Sequence, residues 1–180
     1  MITLVTGNKN KAAEVAAFFS GITEVAHRDF VCVEPQADTV EEIARSKAEQ
    51  AYAALGVPLI VDDTGLFISA LSGFPGPYAA YVQDTIGNDG ILRLMSGVPD
   101  RSAYFATAVA YADADGISVF SGRVNGMIAE AAKGTDGFGY DPIFSVGSRT
   151  LAEMTVAEKN QVSHRARALL AFRDWYAASR

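Results

Sequence analysis

Val61-Asp62-Asp63-Thr64-Gly65 follows the short apolar run Leu59-Ile60-Val61, with Gly56 and Pro58 just ahead of it. An apolar run set off by breakers predicts a buried strand. The two carboxylates, the hydroxyl and the glycine behind it predict a strand-end turn. In α/β proteins ligands bind beyond the carboxyl ends of strands. Neighbouring residues on an extended chain point to opposite faces. Asp62 and Asp63 are therefore expected to do different work: one faces a metal ion or a water, and the other holds backbone groups and shapes the turn. An Asx turn closed by Thr64-Gly65 would explain the pentapeptide without any chemistry, so the remainder of the chain has to decide.

The 180 residues are expected to form one domain of two lobes with a substantial core. Hydrophobic residues make up 49% and charged residues 20%, the balance of an ordinary globular protein. The net charge is -6 and no basic block occurs, which argues against a surface that tracks nucleic-acid phosphates. Cys32 is the single cysteine, so no disulfide can form within the chain, as suits a reducing compartment. Neither a leader-like segment nor an apolar run of membrane-spanning length is found. The expectation is a soluble cytoplasmic protein.

Ile2-Thr3-Leu4-Val5 reads as a first strand and Thr6-Gly7-Asn8 as a turn. Ala12, Val15, Ala16 and Phe19 then recur at helical spacing. Strand, glycine turn and helix together can offer backbone amides and a positive dipole end to an anion. Lys9 and Lys11 sit in the turn and the first helical turn, where cations are unfavourable for the helix itself and suit a bound anion. A capped helix with solvated lysines explains the same residues equally well. Val25 to Val33 predicts a second strand, which Glu34-Pro35-Gln36 leaves. Thr39-Val40-Glu41-Glu42 is a capping box. It opens a helix whose stripe is Val40, Ile43, Ala44, Ala48, Ala51 and Leu55, ended by Gly56. Glu42 thereby has a sufficient structural role.

After the aspartates, Gly73-Phe74-Pro75-Gly76-Pro77-Tyr78 predicts a shaped loop, and Asn88 to Met95 a short helix. Ala103 to Ala112 and Ile117 to Ile128 predict a hairpin about the turn Asp113-Ala114-Asp115-Gly116. A hairpin beside βα units implies a mixed sheet. Gly134 to Pro142 has no strand pattern. Its Phe138, Gly139, Tyr140 and Asp141 suggest a loop that brings backbone and ring close to a ligand, where an exposed ring can stack on a nucleobase. Thr155-Val156-Ala157-Glu158 is a second capping box, followed by Lys159. Ser163 is suited to cap the last helix, with His164 and Arg165 in its first turn as donors toward an oxygen or an anion.

Together these stretches resemble the inosine triphosphatase family of purine nucleoside triphosphate pyrophosphatases. Thr6-Gly7-Asn8-Lys9-Asn10-Lys11 is similar to the family's T-G-N-x-x-K, and Asp62-Asp63-Thr64-Gly65-Leu66 to its D-D-S-G-L. Gly73 to Tyr78 resembles G-x-P-G-x-Y, and Phe138 to Pro142 resembles F-G-Y-D-P. Glu158-Lys159-Asn160 and Ser163-His164-Arg165 are similar to E-K-N and S-H-R. The segments keep the family's order across nearly the whole chain. One departs: E-N-A-x-x-K reads Glu42-Ile43-Ala44-Arg45-Ser46-Lys47 here, with Ile43 in place of the asparagine.

The resemblance implies an elongated mixed sheet with two helical lobes and a central cleft, commonly as a homodimer. It implies Mg²⁺ as cofactor and hydrolysis of ITP, dITP or XTP to the monophosphate and pyrophosphate. Asp63 would be proton acceptor and metal ligand, and Glu34 a second metal carboxylate. The turn Thr6, Gly7, Asn8, Lys9, Asn10 and Lys11 would hold the triphosphate, and Thr64 would touch substrate. Phe138, Gly139, Tyr140, Asp141, Lys159, His164 and Arg165 would line the base pocket. As donors, Lys159 and Arg165 suit a 6-oxo purine, whereas adenine's 6-amino group would leave them unpaired, at roughly 1–3 kcal/mol each. These donors separate inosine from adenine, not inosine from guanine. Two other readings compete: a Maf-like pyrophosphatase with pyrimidine preference, and a nucleotide sensor without turnover.

Overall fold

The computed structural model describes residues 1–178 as a mixed α/β protein. Its strands are β1 (Ile2–Val5), β2 (Val25–Arg28), β3 (Leu59–Ile68), β4 (Pro75–Gly76), β5 (Ser102–Asp113), β6 (Gly116–Ile128), β7 (Phe144–Val146) and β8 (Arg149–Thr150). Its helices are α1 (Lys9–Phe19), α2 (Val40–Leu55), α3 (Ala79–Thr85), α4 (Gly87–Leu94), α5 (Val156–Val162) and α6 (His164–Ala178). The sheet order is β2-β1-β3-β5-β6-β7-β8, with β4 paired to β3. β1 pairs in parallel with β2 and β3, whereas β4, β7 and β8 pair antiparallel. The mixed sheet expected from the sequence is therefore present.

The chain divides into two compact units. The first comprises, among the described residues, 1–63, 107–122 and 165–178. Its core gathers Ile2, Leu4, Val15, Phe19, Ile60 and Phe172 from β1, α1, β3 and α6. α2 opens on the capping box expected for it: Thr39 accepts from the Glu42 amide and Glu42 from that of Thr39. It ends at Gly56 in the left-handed region, φ 65°. Ile43 is 2% exposed and lies on the helix's buried stripe. The second unit comprises residues 64–106 and 123–164. Leu66, Ile68, Phe105, Val124, Phe144 and Leu151 lie in its core.

Two expectations change. The aspartates do not stand in a strand-end turn: β3 runs ten residues straight through them. Leu66 and Ile68 extend its buried pattern, and β4 pairs with Leu66 and Phe67. Gly65 serves that close approach, because a Cβ there would lie 2.7 Å from the Gly76 carbonyl oxygen. The second strand is also shorter than Val25 to Val33. β2 can pair only as far as β1 extends, to Val5↔Arg28, and beyond it Val31 and Val33 are exposed. α3 has no sequence counterpart. It has seven residues, no side-chain cap and two buried apolar contacts, too little to establish a helical period.

Candidate active site

Asp62 and Asp63 are 4% and 5% exposed and, as neighbours on β3, leave it on opposite faces. On one face Asp62 Oδ2 lies 3.2 Å from Lys11 Nζ and accepts from Arg165 Nε at 3.1 Å. Arg165 also pairs through Nη1 with Glu14 of α1. On the other face Lys47 Nζ of α2 donates to Asp63 Oδ1 at 3.1 Å, to Glu34 Oε1 at 2.8 Å and to the Asp62 carbonyl at 3.3 Å. All these groups belong to the first unit.

Burial pushes both aspartates toward the neutral form, and the neighbouring cations decide the outcome. For Asp62, burial is outweighed by Lys11, then Arg165 and Lys47, and the carboxyl is held well below the usual range. For Asp63, burial prevails over Lys47 and Lys11, Glu34 adds to it, and the pKa is pushed up to about 6. For Lys47, burial opposes the charge, but Asp63 and Glu34 overcome it and raise its pKa.

The turn into α1 is tightly bonded. Asn8 Oδ1 accepts from the amides of Asn10 at 2.9 Å and Lys11 at 3.2 Å. The Asn8 amide donates to Thr6 Oγ1 and the Thr6 amide to the Arg28 carbonyl. Several of the amides expected to receive an anion thus already have acceptors. Lys9 is exposed, and Lys11 is turned onto Asp62. Gly7 is exposed within the same turn.

A hard divalent ion fits the donors on the Asp63 face. Asp63 Oδ2 is buried without a hydrogen-bond partner, and Glu34 is close enough to share Lys47 with Asp63. Among the described residues no group of three or more His, Cys, Asp or Glu side chains forms a metal cage. One or two carboxylates, completed by phosphate oxygens and waters, are what magnesium ordinarily takes.

In the second unit Asp141 Oδ2 accepts from Lys159 Nζ at 2.7 Å and from the Phe138 amide at 2.8 Å. The pair is buried, and Lys159 Nζ sits 4.8 Å from the centroid of the Phe138 ring. Gly137 has φ 78°, and a Cβ on it would lie 2.2 Å from Asp141 Oδ2, so glycine is required there for both backbone and space. Tyr140 Oη donates to the Ala79 carbonyl at 2.8 Å. His164 is buried and stacks on Phe105 at 4.7 Å between centroids. Thr64 continues β3 in this unit.

Two constellations result: carboxylates and cations around β3, and a glycine-rich loop tied to an ion pair. The Ham1 family's sequence profile matches residues 2–175. The chain belongs to the Ham1 family. A "dITP/XTP pyrophosphatase" of Saccharolobus solfataricus is 46% identical over 97% of this chain and 92% of its own. One of Methanothermobacter marburgensis is 48% identical over 97% and 95%. Among solved structures, the Ham1 protein of Staphylococcus aureus is 30% identical, with a TM-score of 0.86 over the whole of both chains. In this Ham1 chain, reasoning from sequence gave no role to Lys47, Glu14 or Asn88. Lys47 carried a signal: at four residues from both Ile43 and Ala51 it falls on the apolar stripe of α2, where a lysine needs a partner. Glu14 and Asn88 carried none.

Proposed function

We propose that this Ham1 protein hydrolyses deaminated purine nucleoside triphosphates, dITP, ITP and XTP, to the monophosphate and pyrophosphate. The substrate class is supported by the activity named for the archaeal relatives. The observation that carries the mechanism is Asp63, whose buried Oδ2 has no partner while Oδ1 is held by Lys47. The two units act as one catalytic domain. A homodimer in the cytoplasm is the working state, and no nucleic acid is bound. Among the described residues no helix is long and apolar enough to cross a membrane.

Lys47 fixes the Asp63 carboxylate through Oδ1 and leaves Oδ2 to orient the attacking water and accept its proton. With a pKa near 6 the group is mostly ionised at neutral pH and can still hold the proton. Lys9 and Lys11 supply charge to the polyphosphate, Lys11 being oriented by Asp62. Mg²⁺, held by Glu34 and Asp63, would supply charge neutralisation at the phosphates. Phe138, Tyr140, Lys159 and Asp141 receive the base, with His164 and Thr64 completing the contacts.

The test is pyrophosphate release with Mg²⁺ from ITP, XTP, GTP, ATP and dTTP in parallel. ITP and XTP are expected to turn over far faster than GTP and ATP. A lead for dTTP would favour the Maf-like reading, and binding of ITP without pyrophosphate release would favour the sensor.

A further inference from the structure

We propose that Asn88 is a positioning residue for nucleobase recognition, acting through the peptide that joins Gly139 to Tyr140. The inference rests on the proposed function, since it concerns the loop that would receive the base.

Asn88 is the second residue of α4, and its Nδ2 donates to the Gly139 carbonyl at 3.0 Å across 51 residues of sequence. Gly139 has φ 62°, and a Cβ there would meet nothing within 4 Å. The glycine is thus required for its backbone conformation and not for room. That conformation presents its carbonyl to Asn88.

Its neighbours are already fixed. The Phe138 amide is bound to Asp141 Oδ2, the Tyr140 carbonyl accepts from the amides of Ile143 and Phe144, and the Tyr140 hydroxyl is bound to Ala79. The Gly139 carbonyl lies between Phe138 and Tyr140, so the Asn88 bond sets the angle of the peptide that separates the two rings. Lys159 is tied to the same arrangement through Asp141 and the Phe138 ring.

Asn88 Oδ1 is buried without a partner. An orphaned buried acceptor is unfavourable, and nothing in local helix formation requires an asparagine at this position. The residue is explained by its one donor bond to the loop.

The experiment compares wild type with Asn88→Asp, which keeps the shape and replaces the donor by an acceptor, and Asn88→Ser, which shortens the side chain without adding charge. Should Asn88→Asp not fold, Asn88→Ser carries the test. Steady-state kinetics on XTP and dGTP are run beside amide hydrogen exchange of the nucleotide-free proteins.

The expected result is a KM for XTP raised roughly tenfold with kcat changed far less, the scale of one lost hydrogen bond. The preference for XTP over dGTP should narrow, and exchange should quicken in peptides covering 134–142 but not in those covering β1 and α1. Wild-type turnover with an unchanged KM and unchanged XTP:dGTP ratio in the variants overturns the inference and leaves the proposed function standing. A fall in kcat with exchange raised everywhere also overturns it, because that is general destabilisation. A wild-type protein that turns over neither nucleotide overturns the proposed function and the inference with it.

Discussion

On one face of β3, Asp62 pairs with Lys11 and Arg165; on the other, Asp63 shares Lys47 with Glu34. The residue type is the same, the burial is nearly equal, and the two carboxyls shift in opposite directions. Burial penalises both charges alike, so the difference comes from the local ratio of cations to carboxylates. Asp62 is over-supplied and becomes a fixed ionic pivot. Asp63 is under-supplied and its carboxyl is raised, although each aspartate keeps one buried oxygen without a partner, Asp62 Oδ1 and Asp63 Oδ2. Two carboxyls of nearly equal burial are thus driven apart by the charges placed around each.

The comparison can be broken most directly by Asp63→Asn. Pyrophosphate release from XTP should fall by about 10³-fold or more, on the scale of losing a general base together with a metal ligand. The circular dichroism spectrum should be unchanged. Retained turnover would remove Asp63 from the chemistry.

Asp62→Asn should act chiefly on stability. It leaves Lys11 and the buried Arg165 short of a counter-charge, and removing one partner of a buried pair costs about 3–5 kcal/mol. The thermal midpoint should drop by on the order of 10 °C. A smaller shift than that of an average surface substitution would show that Glu14 alone satisfies Arg165.

The pH dependence sharpens the contrast. The folded-state pKa of Asp63, about 6, is above the ordinary carboxylate value, so the folded state binds the proton more tightly. Its contribution is fully present below about pH 4 and is lost as pH rises through about 6. Asp62 has the opposite sign: its folded pKa is depressed, so its contribution is present above the ordinary carboxylate value and is lost in acid. In metal-free protein the stability of Asp63→Asn relative to wild type should therefore rise by about 1–2 kcal/mol between pH 5 and 7, read by denaturant unfolding. A flat difference would mean that Asp63 titrates normally.

The smallest effect is expected at an exposed ion pair of the second unit. Arg149 and Glu158 form a pair whose side chains are 49% and 42% exposed. Arg149→Ala should cost under about 0.5 kcal/mol in the same unfolding assay, since exposed pairs contribute little.

Much of this was legible from the chain alone. The capping boxes at Thr39 and Thr155, the stripe of α2, the β5–β6 hairpin and the irregular loop around Gly139 were all legible, because each depends on neighbours within a few residues. The division of Asp62 from Asp63 was legible too, since alternation along a strand is local. The continuation of β3 beyond Gly65 was not, because it depends on β4 arriving at Leu66 and Phe67. Nor was α3, which lacks both a cap and a period.

The sequence by itself determined the mixed α/β class and the family. It did so because local periodicity, caps and ordered motifs are written in consecutive residues. Only the tertiary structure decided which cation answers which carboxylate, Lys11 and Arg165 on Asp62 and Lys47 between Asp63 and Glu34, and which carbonyl the Asn88 amide reaches, that of Gly139. These partners are separated by 13 to 103 residues along the chain. Ionic and hydrogen-bond energies depend on distance and burial in space, and neither is encoded in the spacing of a linear sequence.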